Sequence, residues 1–389
     1  MKTTIPLTAI DHVFTGIGSY PIEFIFVYSG LINESKLRSS LEDTLNYFPP
    51  AQSTLKKENN EKYVFEPLEK GYSLDVVMSA LNFDDTEKRD VFIDPVKSIE
   101  GEILTRVRLT QTPNGSVLGV SISHSVADGY SYFFFLSSWA RIFHDLEVFP
   151  PSHDRNLLIR HIKNEGGIDK EKILKDSGLF YDRLRKEIHR DKLVWETLHL
   201  PKSVLKSQLA NAQKDCKTRL SFNDIIVATL WQKYIEQWNR KERDHLTYIS
   251  CPFDYRRILP DFPQTYFGNA VALATTPMHY EKLMESKLSD LALLVRNNIA
   301  QVNKEYIYRG LNTLAGLREQ EGVKAFEKIH VARPEDGLLV TNLSRLPVSQ
   351  IEFGVGPPVK YEILTPANRG AVILPHEDGV QVRVCCPVD

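Results

Sequence analysis

The six residues His124-Ser125-Val126-Ala127-Asp128-Gly129 are the part of the chain best equipped for chemistry. Histidine exchanges a proton near neutral pH, so an imidazole set against a hydroxyl or amine can make that group nucleophilic. General-base help of this kind contributes about 10²–10⁴-fold to a rate. Asp128 either orients the imidazole or pairs elsewhere and holds the turn closed. Gly129 is expected to permit a backbone angle closed to residues with side chains. The chain has 11 histidines, and most will be ordinary surface or core groups. What sets His124 apart is the spacing to Asp128 and Gly129 and the aromatic stretch behind them.

The elements needed to position these residues are legible around them. Leu118, Val120 and Ile122 alternate along a strand that runs into His124. From Tyr130 through Phe143 the chain is apolar almost all round, which predicts a buried helix. His124 therefore sits where a strand ends and a helix is about to begin, a junction that rigid neighbours hold and a cleft can expose. Upstream, segment 22–28 is rich in strand formers and 33–47 reads as a helix, with Leu37, Leu41 and Leu45 stacked and Pro49 and Pro50 ending it. Segments 103–109 and 117–123 read as strands joined by the turn Pro113-Asn114-Gly115.

Segment 150–191 is charged and polar and includes Gly166-Gly167; it reads as a partly helical, largely solvated connection. Beyond it, 193–200 reads as a strand and 201–212 as a helix. Segment 224–237 is a strong helix with Ile225, Ala228, Trp231 and Ile235 on one face and Ser221 as its N-cap. A further helix is predicted over 286–303, and strands over 338–343, 371–375 and 380–385.

A chain of 389 residues with 42% hydrophobic content suits two domains better than one core. The division predicted is 1–155 and 191–389, with 156–190 crossing between them. Basic and acidic residues number 48 and 50, a net charge of -2, which gives no reason to invoke nucleic acid or an anionic membrane. Asp11 interrupts the N-terminal stretch, so no targeting segment is expected. The densest apolar run, 132–140, is about half a membrane span. Cys216, Cys251, Cys385 and Cys386 form neither a disulfide framework nor a zinc ribbon, and a monomeric cytoplasmic protein with reduced thiols is expected. Gly119-Val120-Ser121-Ile122-Ser123 lacks the last glycine of a serine-hydrolase elbow. Gly354 and Gly356 lack the third glycine of a dinucleotide fingerprint, and no His, Cys and carboxylate cluster has zinc spacing.

His124 to Gly129 resembles the HxxxDG motif of the BAHD acyltransferases. Leu7-Thr8-Ala9-Ile10-Asp11 is similar to that family's N-terminal LSxxD, and the helix ending at Pro49-Pro50 to its first helix. Segment 221–231 matches a helix signature. Asp254-Tyr255-Arg256-Arg257 with 266–271 resembles DxRxR…YfGNav, and 341–358 resembles the tSW…DFGWG region. The order is that of the family, and coverage is nearly end to end. The resemblance implies a mixed α/β fold of the two-domain chloramphenicol-acetyltransferase type, each domain a mixed β-sheet flanked by helices, with His124 in a channel between them. It implies acyl-CoA as co-substrate, a small-molecule alcohol or amine as acceptor, and neither a metal nor a permanently bound cofactor. His124 would be the general base, and Asp128 a structural partner of Arg256.

Departures from the family pattern fall in the last region. Glu352 stands for the Asp of DFGWG and Val355 for its Trp, while Phe353, Gly354 and Gly356 are kept; this motif is expected to be structural and away from the chemistry. Leu343 stands for the Trp of tSW and cannot donate a hydrogen bond. Thr341, two residues earlier on the same strand face, is the candidate oxyanion or substrate contact, with simple packing as its other reading. Two other classes fit the motif: a condensation-type enzyme using a carrier-protein donor, which usually has a second histidine where this chain has Ser123, and a non-catalytic relative of the same fold.

Overall fold

The computed structural model describes residues 3–58, 62–159, 168–239 and 245–387. Two larger sheets organise them. In the first, five strands lie in the order Lys360–Ile363, Pro21–Tyr28, Gly115–Ser123, Thr105–Thr112 and Ser73–Met78. In the second, six lie in the order Val271–His279, Leu246–Asp254, Gly337–Asn342, Gly370–His376, Gly379–Pro387 and Leu193–Pro201. Helices flank both, giving the mixed α/β class expected.

The strand Gly115–Ser123 is buried at all nine positions. It pairs antiparallel with Pro21–Tyr28 on one side and Thr105–Thr112 on the other, so the residue that follows it is anchored by two neighbours. Pro113 and Asn114 turn the hairpin as expected. The helix Gly129–Phe143 buries nine residues, among them Tyr132, Phe133, Phe135 and Trp139, against Leu37, Leu41 and Leu45 of the helix Glu34–Tyr47. The Trp139 indole donates to Ser40 Oγ at 3.0 Å, which satisfies its one polar atom inside that core. In the other sheet the helix Phe222–Asn239 sets Ile225, Trp231 and Ile235 against Ile249, Val340 and Ile373.

The helix predicted over 286–303 is present as Leu288–Ala300, and a separate short helix, Tyr280–Glu285, precedes it. Two expectations change. Ser221 does not cap its helix by accepting; its hydroxyl and backbone N–H both donate to Asp224 Oδ2, at 2.8 and 2.7 Å. The crossing segment is less solvated than its charge implies, because the apolar residues between the charges turn inward. Leu158, Ile173, Leu179 and Phe180 are all buried, Lys170–Ser177 is helical, and Phe180–Tyr181 pairs with Ile329–His330. Gly166 and Gly167 lie outside the described residues.

The two sheets are also tied together. Lys360–Ile363, late in the chain, pairs with Pro21–Tyr28 in the first sheet. Arg190 of the crossing segment forms an ion pair with Glu23, whose side chain is fully buried, and Ser121 Oγ donates to the same carboxylate at 2.9 Å.

Candidate active site

His124 opens the turn between the strand Gly115–Ser123 and the helix Gly129–Phe143. The turn is closed by Val126 N–H donating to Ser123 O at 2.9 Å. Ser123 itself is buried in a run of hydroxyls, 2.6 Å from Ser98 Oγ and 2.7 Å from Ser125 Oγ. The imidazole lies flat on Phe14, with ring centroids 3.7 Å apart and planes 8° from parallel, and Tyr20 meets it edge-on at 5.7 Å. The ring is half-buried and lines a cavity of about 810 Å³ of empty space, part of it open to solvent.

The apolar wall dominates the electrostatics of this ring. Burial pushes the His124 pKa down to about 4, while its own backbone carbonyl, the Asp128 charge and the Asn269 amide favour the protonated form. By strict geometry Nδ1 makes no hydrogen bond among the described residues. His124 is thus neutral at pH 7, with a short list of groups set to favour an imidazolium once one forms.

Asp128, four residues on, is in the opposite condition. It is the N-cap of the helix Gly129–Phe143, accepting from Ser131 N–H at 2.8 Å. Its two oxygens also accept from Arg256 Nη1 at 2.8 Å and Nη2 at 3.2 Å, and from Ala270 N–H at 2.8 Å. Arg256 is 1% exposed and donates further to Asp254, Ser131 Oγ and the carbonyls of Tyr266 and Gly268. Burial alone would lower its pKa; the charges of Asp128 and Asp254 and their hydrogen bonds reverse this and raise it. Asp128 touches the cavity wall, but its carboxylate is committed to this network and not to the imidazole.

Gly129 corrects an expectation. It is the first helical residue and is not among the glycines of positive φ. What it supplies is space: a Cβ there would stand 3.1 Å from Leu343 Cδ2. Thr341 and Leu343 both line the cavity with His124. Glu352, Phe353, Gly354 and Gly356 do not. Glu352 accepts from Gly356 N–H at 2.9 Å and pairs with His144. Phe353 packs on Trp139 at 4.8 Å between centroids, and Gly354 and Gly356 hold φ of 80° and 82°, where only glycine is unstrained.

The site contains residues to which no role was assigned from motif or spacing. Asn269 is fully buried, and its amide nitrogen donates to His124 O at 2.8 Å, Asp11 Oδ1 at 2.8 Å and Ser125 O at 3.3 Å. Asp11 in turn lies 3.7 Å from Arg155 Nε, with both side chains buried. A line of polar contacts from Arg155 through Asp11 and Asn269 therefore fixes the backbone that carries the imidazole. Asp11 and Asn269 stood inside motifs, so a signal for them existed; nothing in the sequence singled out Phe14.

A mixed α/β fold with a histidine in a cavity bounded by both sheets defines a class that known structures share. The crystal structure of F. sporotrichioides TRI101 complexed with coenzyme A and T-2 superposes with a TM-score of 0.79 at 15% identity, covering 98% of this chain and 95% of that one, so the fold is that of the chloramphenicol-acetyltransferase type. The model of the Transferase family matches residues 2–389, and the chain belongs to this family, the BAHD acyltransferases. Hydroxycinnamoyl-CoA:piscidic acid hydroxycinnamoyltransferase of Actaea racemosa is 23% identical over 320 residues, 75% of this chain and 71% of that protein. Stemmadenine O-acetyltransferase of Catharanthus roseus is 25% identical over 281 residues, 71% of this chain and 60% of that protein.

Proposed function

We propose that this chain transfers an acyl group from an acyl-CoA thioester to a hydroxyl or amine of a small molecule, with His124 as general base. The observation that carries this reading is the His124 imidazole itself, stacked on Phe14 at the wall of an apolar cavity, with an Nδ1 that makes no hydrogen bond among the described residues. Family membership and the relatives' names, one a CoA-dependent hydroxycinnamoyl transfer and one an O-acetyl transfer, support the donor and the reaction type.

In this reading His124 takes the acceptor proton as the oxygen or nitrogen attacks the thioester carbonyl. The apolar wall keeps the resting ring neutral, and the carbonyl, carboxylate and amide beside it stabilise the imidazolium only when the proton arrives. The tetrahedral oxyanion needs a preorganised donor, a role we give to the Thr341 hydroxyl. Collapse breaks the C–S bond, and the departing CoA thiolate recovers the proton from His124, so no acyl-enzyme is needed. Asp128 and Arg256 hold the turn. The halves 1–155 and 191–389 would each supply one wall, with 156–190 crossing between them.

The experiment is thermal unfolding against a panel of acyl-CoAs and free CoA. A ligand at about 100 times its dissociation constant stabilises by about 2.7 kcal/mol, which is readily seen. A rise with one acyl class identifies the donor; no rise with any CoA species would sink the CoA assignment in favour of a carrier-bound donor.

A further inference from the structure

Away from the His124 cavity, strand pairing assembles a group that no spacing in the sequence announces. His199 lies on Leu193–Pro201, the edge strand of the six-stranded sheet. His376 ends the strand Gly370–His376, and Asp378 sits in the two-residue turn before Gly379–Pro387. His199 and Asp378 are 179 residues apart in the chain, yet Asp378 Oδ1 lies 2.7 Å from His199 Nε2 and 2.8 Å from His376 Nδ1. The two rings are 4.1 Å apart, tilted by 51°. Among the described residues, this is the one place where three such side chains bring a ligand atom each to within 4.8 Å of one another.

The backbone beneath them is fixed. Gly379 pairs with Pro201, and Lys202 N–H donates to Asp378 O at 2.7 Å. A Cβ at Gly379 would stand 2.2 Å from Leu200 O, so turn and edge strand are in close contact. The side chains above are free to adjust: His199, His376 and Asp378 are 41%, 42% and 60% exposed. A tetrahedral ion with ligands at 2.0–2.1 Å sets neighbouring ligand atoms about 3.3 Å apart, so the carboxylate needs to draw back by only about half an ångström. Each imidazole can carry its proton on the outer nitrogen, which leaves the inner one as a lone-pair donor. Two imidazoles and one carboxylate suit zinc and its neighbours; magnesium and calcium favour all-oxygen shells.

We infer that His199 Nε2, His376 Nδ1 and a carboxylate oxygen of Asp378 bind one divalent transition-metal ion of the zinc class, with water completing its shell on the solvent side. The three ligands lie outside the cavity that holds His124. The ion clips the edge strand to the neighbouring hairpin, and it stabilises the fold because the unfolded chain has no such arrangement to offer. The site is independent of the reading of His124.

The test uses the full chain, stripped with a chelator and exchanged out of it, with zinc chloride as the probe and magnesium chloride as the control. Calorimetry near neutral pH should show one zinc bound per chain and no magnesium, and zinc should raise the melting temperature. His199→Gln and His376→Gln should each weaken zinc binding by at least about tenfold and abolish that rise, while melting like the wild type in chelator. Asp378→Asn gives the same comparison should a histidine variant melt early. The buried cysteines Cys216, Cys251, Cys385 and Cys386 are the competing soft ligands, and cobalt substitution separates them: a thiolate charge-transfer band would place the ion on sulfur. That band, or zinc affinity unchanged in the variants, or zinc binding no tighter than magnesium, overturns the proposal and leaves the cluster as surface hydrogen bonds alone. Acyl transfer is not part of any of these measurements, so their failure leaves the proposed function where it stood.

Discussion

His124 and Asp128 sit four residues apart on one turn, and the protein treats them in opposite ways. Asp128 is 5% exposed and has both oxygens engaged by a guanidinium and two backbone N–H groups. His124 has a ring nitrogen with no hydrogen-bond partner among the described residues and an apolar ring pressed against its face. A fully satisfied buried network rigidifies and specifies one arrangement; a polar group left short of partners is destabilised where it stands and ready to act. On the proposed reading, the aspartate of this six-residue motif holds the turn and the histidine reacts. The two substitutions that remove them should therefore fail in different assays.

The largest effect expected is on rate. His124→Ala should lower turnover by about 10²–10⁴-fold while leaving the melting temperature close to wild type, because the ring's one close partner is a stacked Phe14. Steady-state kinetics and a melting curve on the same preparation check it, and an unaltered rate would remove the general-base assignment. Asp128→Ala should reverse the pattern. It strands the Arg256 guanidinium at 1% exposure, and breaking a buried pair from one side costs about 3–5 kcal/mol. Urea unfolding reads this directly; a midpoint equal to wild type would mean that the Asp128–Arg256 pair does not hold the turn.

Thr341→Val sharpens the comparison from the other side of the cavity. The two side chains have nearly the same shape, so stability should change little. If the hydroxyl steadies the oxyanion, kcat should fall by about 10²-fold with KM unchanged. If Thr341 only packs, kcat will be kept, and the donor must be sought elsewhere, since Leu343 has none to offer.

How much of this was legible beforehand follows from which contacts are local. The strand Gly115–Ser123 and the helix Gly129–Phe143 were readable because alternation and an all-round apolar run are properties of neighbours in sequence. The place of His124 between them came with these. The reason for Gly129 was not readable, because it lies in Leu343, more than two hundred residues away. Asn269 reaches Asp11 across 258 residues and His124 across 145, and no spacing rule connects such positions; they stood inside recognisable motifs without a role. The crossing segment misled for a different reason. Its charge count masked Ile173, Leu179 and Phe180, which are few but all buried. The strand Lys360–Ile363 joins the sheet of Pro21–Tyr28 with only four residues of mixed character, too short for periodicity to declare itself.

The smallest effect separates the buried His12 from the half-buried His124 by pH. His12 has a full set of partners: Nδ1 donates to Thr8 O at 2.7 Å, and Nε2 accepts from Tyr63 N–H at 3.1 Å. Burial pushes its pKa down to about 3, and that of His124 to about 4. For both, the folded protein resists a proton that the unfolded chain accepts below about pH 6.5. The unfolded state then binds more protons, so stability falls as pH drops below about 6.5, by about 1.4 kcal/mol per pH unit for each histidine, and levels off once the folded groups titrate near 4 and 3. Urea midpoints at pH 7 and pH 5.5 should show the loss, and His124→Ala should remove about half of the part due to these two rings. The rate should behave differently. The acid limb of kcat/KM reports the free enzyme's base, and for the His124 imidazole its midpoint should lie near pH 4, well below the usual histidine value. A limb centred at 6.5 would show that His124 is solvated in the working enzyme, and the contrast between a holding aspartate and a desolvated histidine would lose its second half.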